Sequence, residues 1–144
     1  MPPLAEMLLK VFMTSKENMI QELKRQVLPL LKTNGFKGSF PHFRRIKNEK
    51  LNLITFQFDK WGGGFCIEIA NGDPTGFKHY SNKFIEASKM RPYHLLHRIR
   101  LGAVDENSNH WYRYDDNNYE RTAMEVIKNI QIAEKWFHEN PYSA

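Results

Sequence analysis

The sequence predicts an α+β fold: an antiparallel sheet of about five strands, beginning as a meander, with an N-terminal and a C-terminal helix packed on one face. Three observations predict it. Apolar residues recur at helical spacing near both ends, from Met19 to Leu31 and from Ala123 to Phe137. Between these stretches the period falls to two in a series of short runs. The first three runs are joined by connections too short for a crossover helix, so they must pair antiparallel.

The first helix opens at Thr14, because Thr14 with Glu17 matches a capping box in which each side chain satisfies a free amide of the first turn. Met19, Ile20, Leu23, Val27, Leu30 and Leu31 form its apolar stripe, and Gly35 is placed to end it in the left-handed conformation. Pro29 cannot donate to the carbonyl of Arg25, which predicts a kink or restart near Val27. Phe40 to Lys47, Leu51 to Asp59 and Gly64 to Ala70 are the first three strands. In the second, Ile54, Phe56 and Phe58 share one face; in the third, Phe65, Ile67 and Ile69 point inward and Cys66 and Glu68 outward. Residues 71–92 read as a long loop with room for a short helix. His94 to Leu101 and His110 to Asp115 read as two further strands. The closing helix carries Ala123, Val126, Ile127, Ile130, Ala133, Trp136 and Phe137, with capping candidates at Asp116 to Asn118 and a stop at Asn140 and Pro141.

Residues 13–144 form one α+β domain on this reading, with residues 1–12 as an N-terminal extension that is dispensable if Met13 is the natural start. Glu6 and Lys10 interrupt the apolar character of that extension, which argues against a signal peptide. No run approaches the roughly 18 apolar residues of a membrane span, so no membrane partner is expected. The lone cysteine, Cys66, cannot form an internal disulfide, which points to a reducing, cytoplasmic setting.

The net charge of +5 permits an anionic partner. The charge is unevenly spread: residues 78–100 hold six basic groups and one acid, while residues 101–120 hold five acids against Arg113. Arg98 and Arg100 share one strand face by alternation, and a pair of guanidinium forks suits carboxylate or phosphate oxygens. Arg44, two residues from His42, adds a similar cation on the first strand. Cross-strand pairing with Glu68 or with the acids of residues 105–116 is the competing, structural reading. Trp61 and Trp111 complete the candidate binding residues, and with Tyr112 and Tyr114 they keep weak nucleic-acid binding open as an alternative.

Catalytic signatures are sparse. Trp61-Gly62-Gly63-Gly64-Phe65 leads into a strand rather than a helix, so it reads as a hairpin and not as a phosphate loop. His94 and His97 with Asp115 or Asp116 offer the residue types of a small hydrolase, which is the enzymatic alternative, but on a strand positions three apart face opposite ways. No catalytic residue, metal ligand or cofactor is assigned.

Three stretches carry a family resemblance: Leu28 to Lys37 with Phe43 and Arg44, then Ile54-Thr55-Phe56-Gln57-Phe58 running into Trp61 to Phe65, then Arg98-Ile99-Arg100-Leu101-Gly102 ahead of Trp111. Together they resemble the bacterial proteins grouped as domain of unknown function 4304, over roughly residues 19 to 115. The resemblance implies a small stand-alone α+β domain and brings no catalytic residues, because that family is uncharacterised. The expectation for function is therefore a non-catalytic binding module that recognises a protein or an anionic ligand. No feature of the sequence speaks to oligomeric state.

Overall fold

In the computed structural model, which describes residues 3–78 and 81–142 and omits the side chains of residues 9–12, the capping box is formed. Thr14 Oγ1 accepts from the Glu17 amide at 3.1 Å, and a Glu17 carboxylate oxygen accepts from the Thr14 amide at 3.3 Å. A short helix α1 (Leu4–Phe12) precedes this cap, with Leu4, Met7 and Leu8 exposed. The side chains of Leu9, Val11 and Phe12, also in the N-terminal extension, lie outside the described residues.

Helix α2 (Ser15–Thr33) runs through Pro29 without restarting. The proline removes one hydrogen bond on an exposed side of the helix, whereas Met19, Leu23, Val27 and Leu31 are buried on both sides of it and hold the turns together. The end of α2 is a Schellman motif. Gly35, at φ +91°, donates to Lys32 O at 3.0 Å, and Phe36 donates to Leu31 O at 2.9 Å while both of those side chains enter the core.

The sheet begins with β1 (Lys37–Ser39), a short edge strand that alternation did not reveal, followed by β2 (His42–Lys47), β3 (Lys50–Phe58) and β4 (Gly64–Gly72). These four pair consecutively and antiparallel, as a meander. The β2–β3 turn has two residues, Asn48 and Glu49, both at positive φ, the twist that a tight hairpin requires. Residues 71–92 are more structured than a loop: β5 (Phe77–Lys78) and β6 (Phe84–Ile85) form a separate hairpin, and a 3₁₀ turn follows at Ala87–Lys89.

The fourth predicted strand contracts to β7 (Arg98–Arg100), because Pro92 starts a 3₁₀ turn that holds His94 out of the sheet. His94 and Leu96 therefore do not share a strand face with the two arginines. The fifth contracts to β8 (Tyr112–Arg113). Both β7 and β8 pair antiparallel with β4, at opposite ends of it. Helix α3 (Tyr119–Glu139) closes the chain, ending at Asn140 as predicted.

The two faces of the sheet meet different partners. Phe43, Ile54, Phe56, Phe65, Ile67 and Ile69 face α2 and α3, where Val27, Ile130 and Phe137 complete the main core. Phe58 and Ile127 pack at its margin. On the outer face, the segment after β4 lays Met90 and Leu95 on Leu51, Leu53 and Ala70, making a second, smaller core. Cys66 also faces outward and is fully buried, and burial raises its pKa. Among the described residues no helix is long and apolar enough to cross a membrane.

Candidate functional site

Strand register decides which candidate side chains meet. The outer face carries two cross-strand rows: His42, Thr55, Glu68 and Arg100 in one, and Arg44, Leu53, Ala70 and Arg98 in the next. Arg98 and Arg100 thus share a face, as alternation predicts. They do not share a partner. Arg98 Nε lies 2.9 Å from a Glu68 carboxylate oxygen, and its Nη1 donates to Leu95 O at 2.7 Å. It is anchored to β4 and to the covering segment. Arg100 instead lies over the Trp111 ring, 5.1 Å from its centroid, and Arg113 lies over the same ring at 5.5 Å. No carboxylate stands within ion-pair distance of Arg100 among the described residues, and the nearest to Arg113 is Asp59 at 4.0 Å.

Arg44 belongs elsewhere. Two strands separate it from Arg98, roughly 14 Å at the usual strand spacing, and Met90 and Leu95 pack on the residues between. Arg44 instead lines a cavity of about 350 Å³ with His42, Ser88 and Arg91. The Thr55 hydroxyl holds His42 Nδ1 at 2.9 Å, and burial, aided by the Arg91 charge, pushes the imidazole pKa below its ordinary value. Trp61 sits at the tip of the β3–β4 hairpin, 84% exposed, with the Lys60 ammonium 5.1 Å from its ring centroid.

The histidines and acids of the enzymatic alternative occupy separate places. His94 accepts from the Arg91 amide at 3.0 Å within its 3₁₀ turn. His97 is exposed and pairs with Glu106 at 3.5 Å. Asp115 and Asp116 lie exposed in the turn ahead of α3. No group of three or more His, Cys, Asp or Glu side chains among the described residues is arranged to hold a metal ion. Tyr112 and Tyr114 are buried in the main core, where Tyr112 donates to Leu101 O at 3.2 Å and accepts from Asn129 at 2.7 Å.

One polar constellation has no counterpart in the sequence reading. Arg45, Asn52 and Asn71 form a buried row on the helix side of the sheet. Arg45 grips the Glu134 carboxylate with both terminal nitrogens at 2.8 Å, donates to Asn52 Oδ1 at 2.8 Å and to Asn34 O at 3.0 Å, and stacks 4.3 Å from the Phe36 centroid. Asn71 and Lys50 donate to Phe137 O and Asn140 O at the carboxyl end of α3. A cation there complements the helix dipole, so the row fastens α3 to the sheet. Its signal in the sequence is three polar residues in the inward phase of consecutive strands.

The model of the family described as Domain of unknown function (DUF4304) matches residues 27–139, from the second half of α2 to the last residue of α3. Neither a curated protein nor a solved structure matches the chain.

Proposed function

We propose that this chain, which belongs to the DUF4304 family, is a non-catalytic interaction module whose outer sheet face recognises an acidic segment of a partner protein. The observation that carries this reading is the inequality of charge around β7. Glu68 is taken by Arg98, while Arg100, ordered against Trp111, has no carboxylate within ion-pair distance among the described residues, and Arg113 on the same ring has only Asp59, at 4.0 Å. An arginine held by an aromatic ring has already lost much of its rotamer freedom, so a carboxylate fork costs less to form.

A protein partner is favoured over nucleic acid by the state of the aromatic residues. Stacking on bases needs exposed ring faces. Of the four candidate rings, Tyr112 and Tyr114 are buried and Trp111 is covered by two guanidinium groups, which leaves Trp61 at the hairpin tip.

Fluorescence anisotropy with a labelled glutamate-rich peptide and a labelled single-stranded oligonucleotide tests the reading. The peptide should bind, bind more weakly as salt screens exposed charge, and lose at least about tenfold in affinity on Arg100→Glu, equivalent to about 1.4 kcal/mol. Peptide affinity unchanged by Arg100→Glu would refute it. Tighter binding of the oligonucleotide that is lost on Trp61→Ala would refute it too, and would move the function to the hairpin tip.

A further inference from the structure

We infer that the cavity between β2 and the 3₁₀ turn at Ala87–Lys89 is a second, independent binding site, and that it takes the phosphoryl group of a small phosphate monoester. His42 and Arg44 alternate onto the same side of β2 and rise from the floor of this cavity, while Ser88 and Arg91 descend from the segment that crosses the outer face. Cationic groups therefore approach from two walls, and no acidic side chain is among the residues that line it. The Arg44 backbone is paired within the sheet, but its side chain makes no hydrogen bond or ion pair with the described residues. Arg91 spends only Nη1, on Ser88 O at 3.3 Å and Met90 O at 3.0 Å, which fixes the guanidinium over the cavity. His42 is oriented through Nδ1 by the buried Thr55, and its Nε2 carries no hydrogen bond.

The chemistry of these donors selects the ligand. A planar carboxylate is saturated by one arginine fork, whereas a tetrahedral phosphoryl group presents three oxygens in different directions and a charge between −1.5 and −2 that matches two guanidinium groups. The serine hydroxyl and the imidazole supply further donors. At about 350 Å³ the cavity falls within the range of small-molecule sites, roughly 300–1,000 Å³, with room for an organic body beside the phosphoryl group. The groups facing His42 are Thr55 from β3, Arg44 from β2, and Ser88 and Arg91 from the covering segment, so no carboxylate compensates a proton on it. An anion in the cavity does, and binding is coupled to protonation of His42.

Titration of the full chain with inorganic phosphate, followed by amide chemical shifts, tests the inference. The largest shifts should fall at His42, Arg44, Ser88 and Arg91, and Arg44→Gln or Arg91→Gln should weaken binding at least tenfold while melting temperatures confirm that each variant is folded. Arg100→Glu should leave phosphate affinity unchanged, which separates this site from the outer-face reading. Sulfate, a dianion throughout the range, should bind more tightly as pH falls from about 7.5 to about 5.5, across the ordinary histidine pKa, and His42→Gln should abolish that gain. Shifts centred on Arg100 and Trp111, wild-type affinity in both arginine variants, or acetate binding as tightly as phosphate would each overturn the assignment.

Discussion

Removing the Glu134 carboxylate should destabilise the protein by about 2–4 kcal/mol, although Glu134 stands at the margin of the fold. The magnitude comes from what is left behind. The Arg45 side chain is only 5% exposed, and Glu134, 31% exposed, is its one carboxylate partner among the described residues. In Glu134→Ala the guanidinium keeps Asn52 Oδ1, Asn34 O and the Phe36 ring, but its buried charge loses its carboxylate, and so does the exposed Lys47 ammonium 4.0 Å from Glu134. Breaking a buried pair in this way costs about 3–5 kcal/mol, and partial solvent access at Glu134 lowers both ends of that range by about 1 kcal/mol. Arg45→Met removes the charge itself and orphans Asn52 Oδ1, for a cost of about 1–3 kcal/mol. Arg45→Met with Glu134→Ala removes both charges, so its loss should fall short of the sum of the single losses by about 1.5–3 kcal/mol. Urea denaturation of the four proteins, with m-values checked for constancy, measures the cycle. A loss below about 0.5 kcal/mol for Glu134→Ala, or additivity within error, would falsify the view that this pair fastens α3 to the sheet.

Two further outcomes follow from burial. Phe56→Ala should cost about 3–5 kcal/mol in a denaturant melt, because the ring is buried at the sheet centre with Phe40, Phe43 and Phe65 around it; a loss below about 1 kcal/mol would mean that the site collapses without a cavity. His42 has a folded pKa lowered by burial and by Arg91, so the unfolded chain takes up its proton first. Its contribution to stability is therefore complete above the ordinary histidine pKa of about 6.5 and declines as pH falls from there towards the lowered folded value. Across that window urea melts should show wild type losing more stability than His42→Gln, and parallel profiles would remove His42 as the cause.

Much of the architecture was legible because it is written in interactions between near neighbours. Thr14 and Glu17 are three residues apart and Gly35 follows its stripe directly, so the bounds of α2 could be read without knowledge of the rest. Alternation in β3 and β4 placed Phe56, Phe65 and Ile67 on the core side, because a strand exposes opposite faces at successive residues. The same rule put Arg98 and Arg100 together. It could not say that Arg98 is taken by Glu68, since that depends on β7 pairing with β4 in a register that sets Arg100 opposite Glu68 and Arg98 opposite Ala70.

Where the reading failed, longer-range contacts had outweighed local preference. Pro29 does not break α2 because buried residues on either side of it pack on the sheet. His94 leaves the sheet because Pro92 begins a 3₁₀ turn and Leu95 is drawn into the smaller core.

The sequence by itself determined the two long helices, the phase of the central strands, the antiparallel order of the meander and the clustering of positive charge, all consequences of period, capping and short connections. Only the tertiary structure decided which charged groups meet. The path of the segment between β4 and β7 separates Arg44 from Arg98 and brings Arg91 to His42, and the seating of α3 joins Arg45 to Glu134, 89 positions away. The physical reason is that an ion pair or an anion site depends on distances of a few ångströms between distant parts of the chain, which are set by the packing of all the elements at once and leave no period in the sequence.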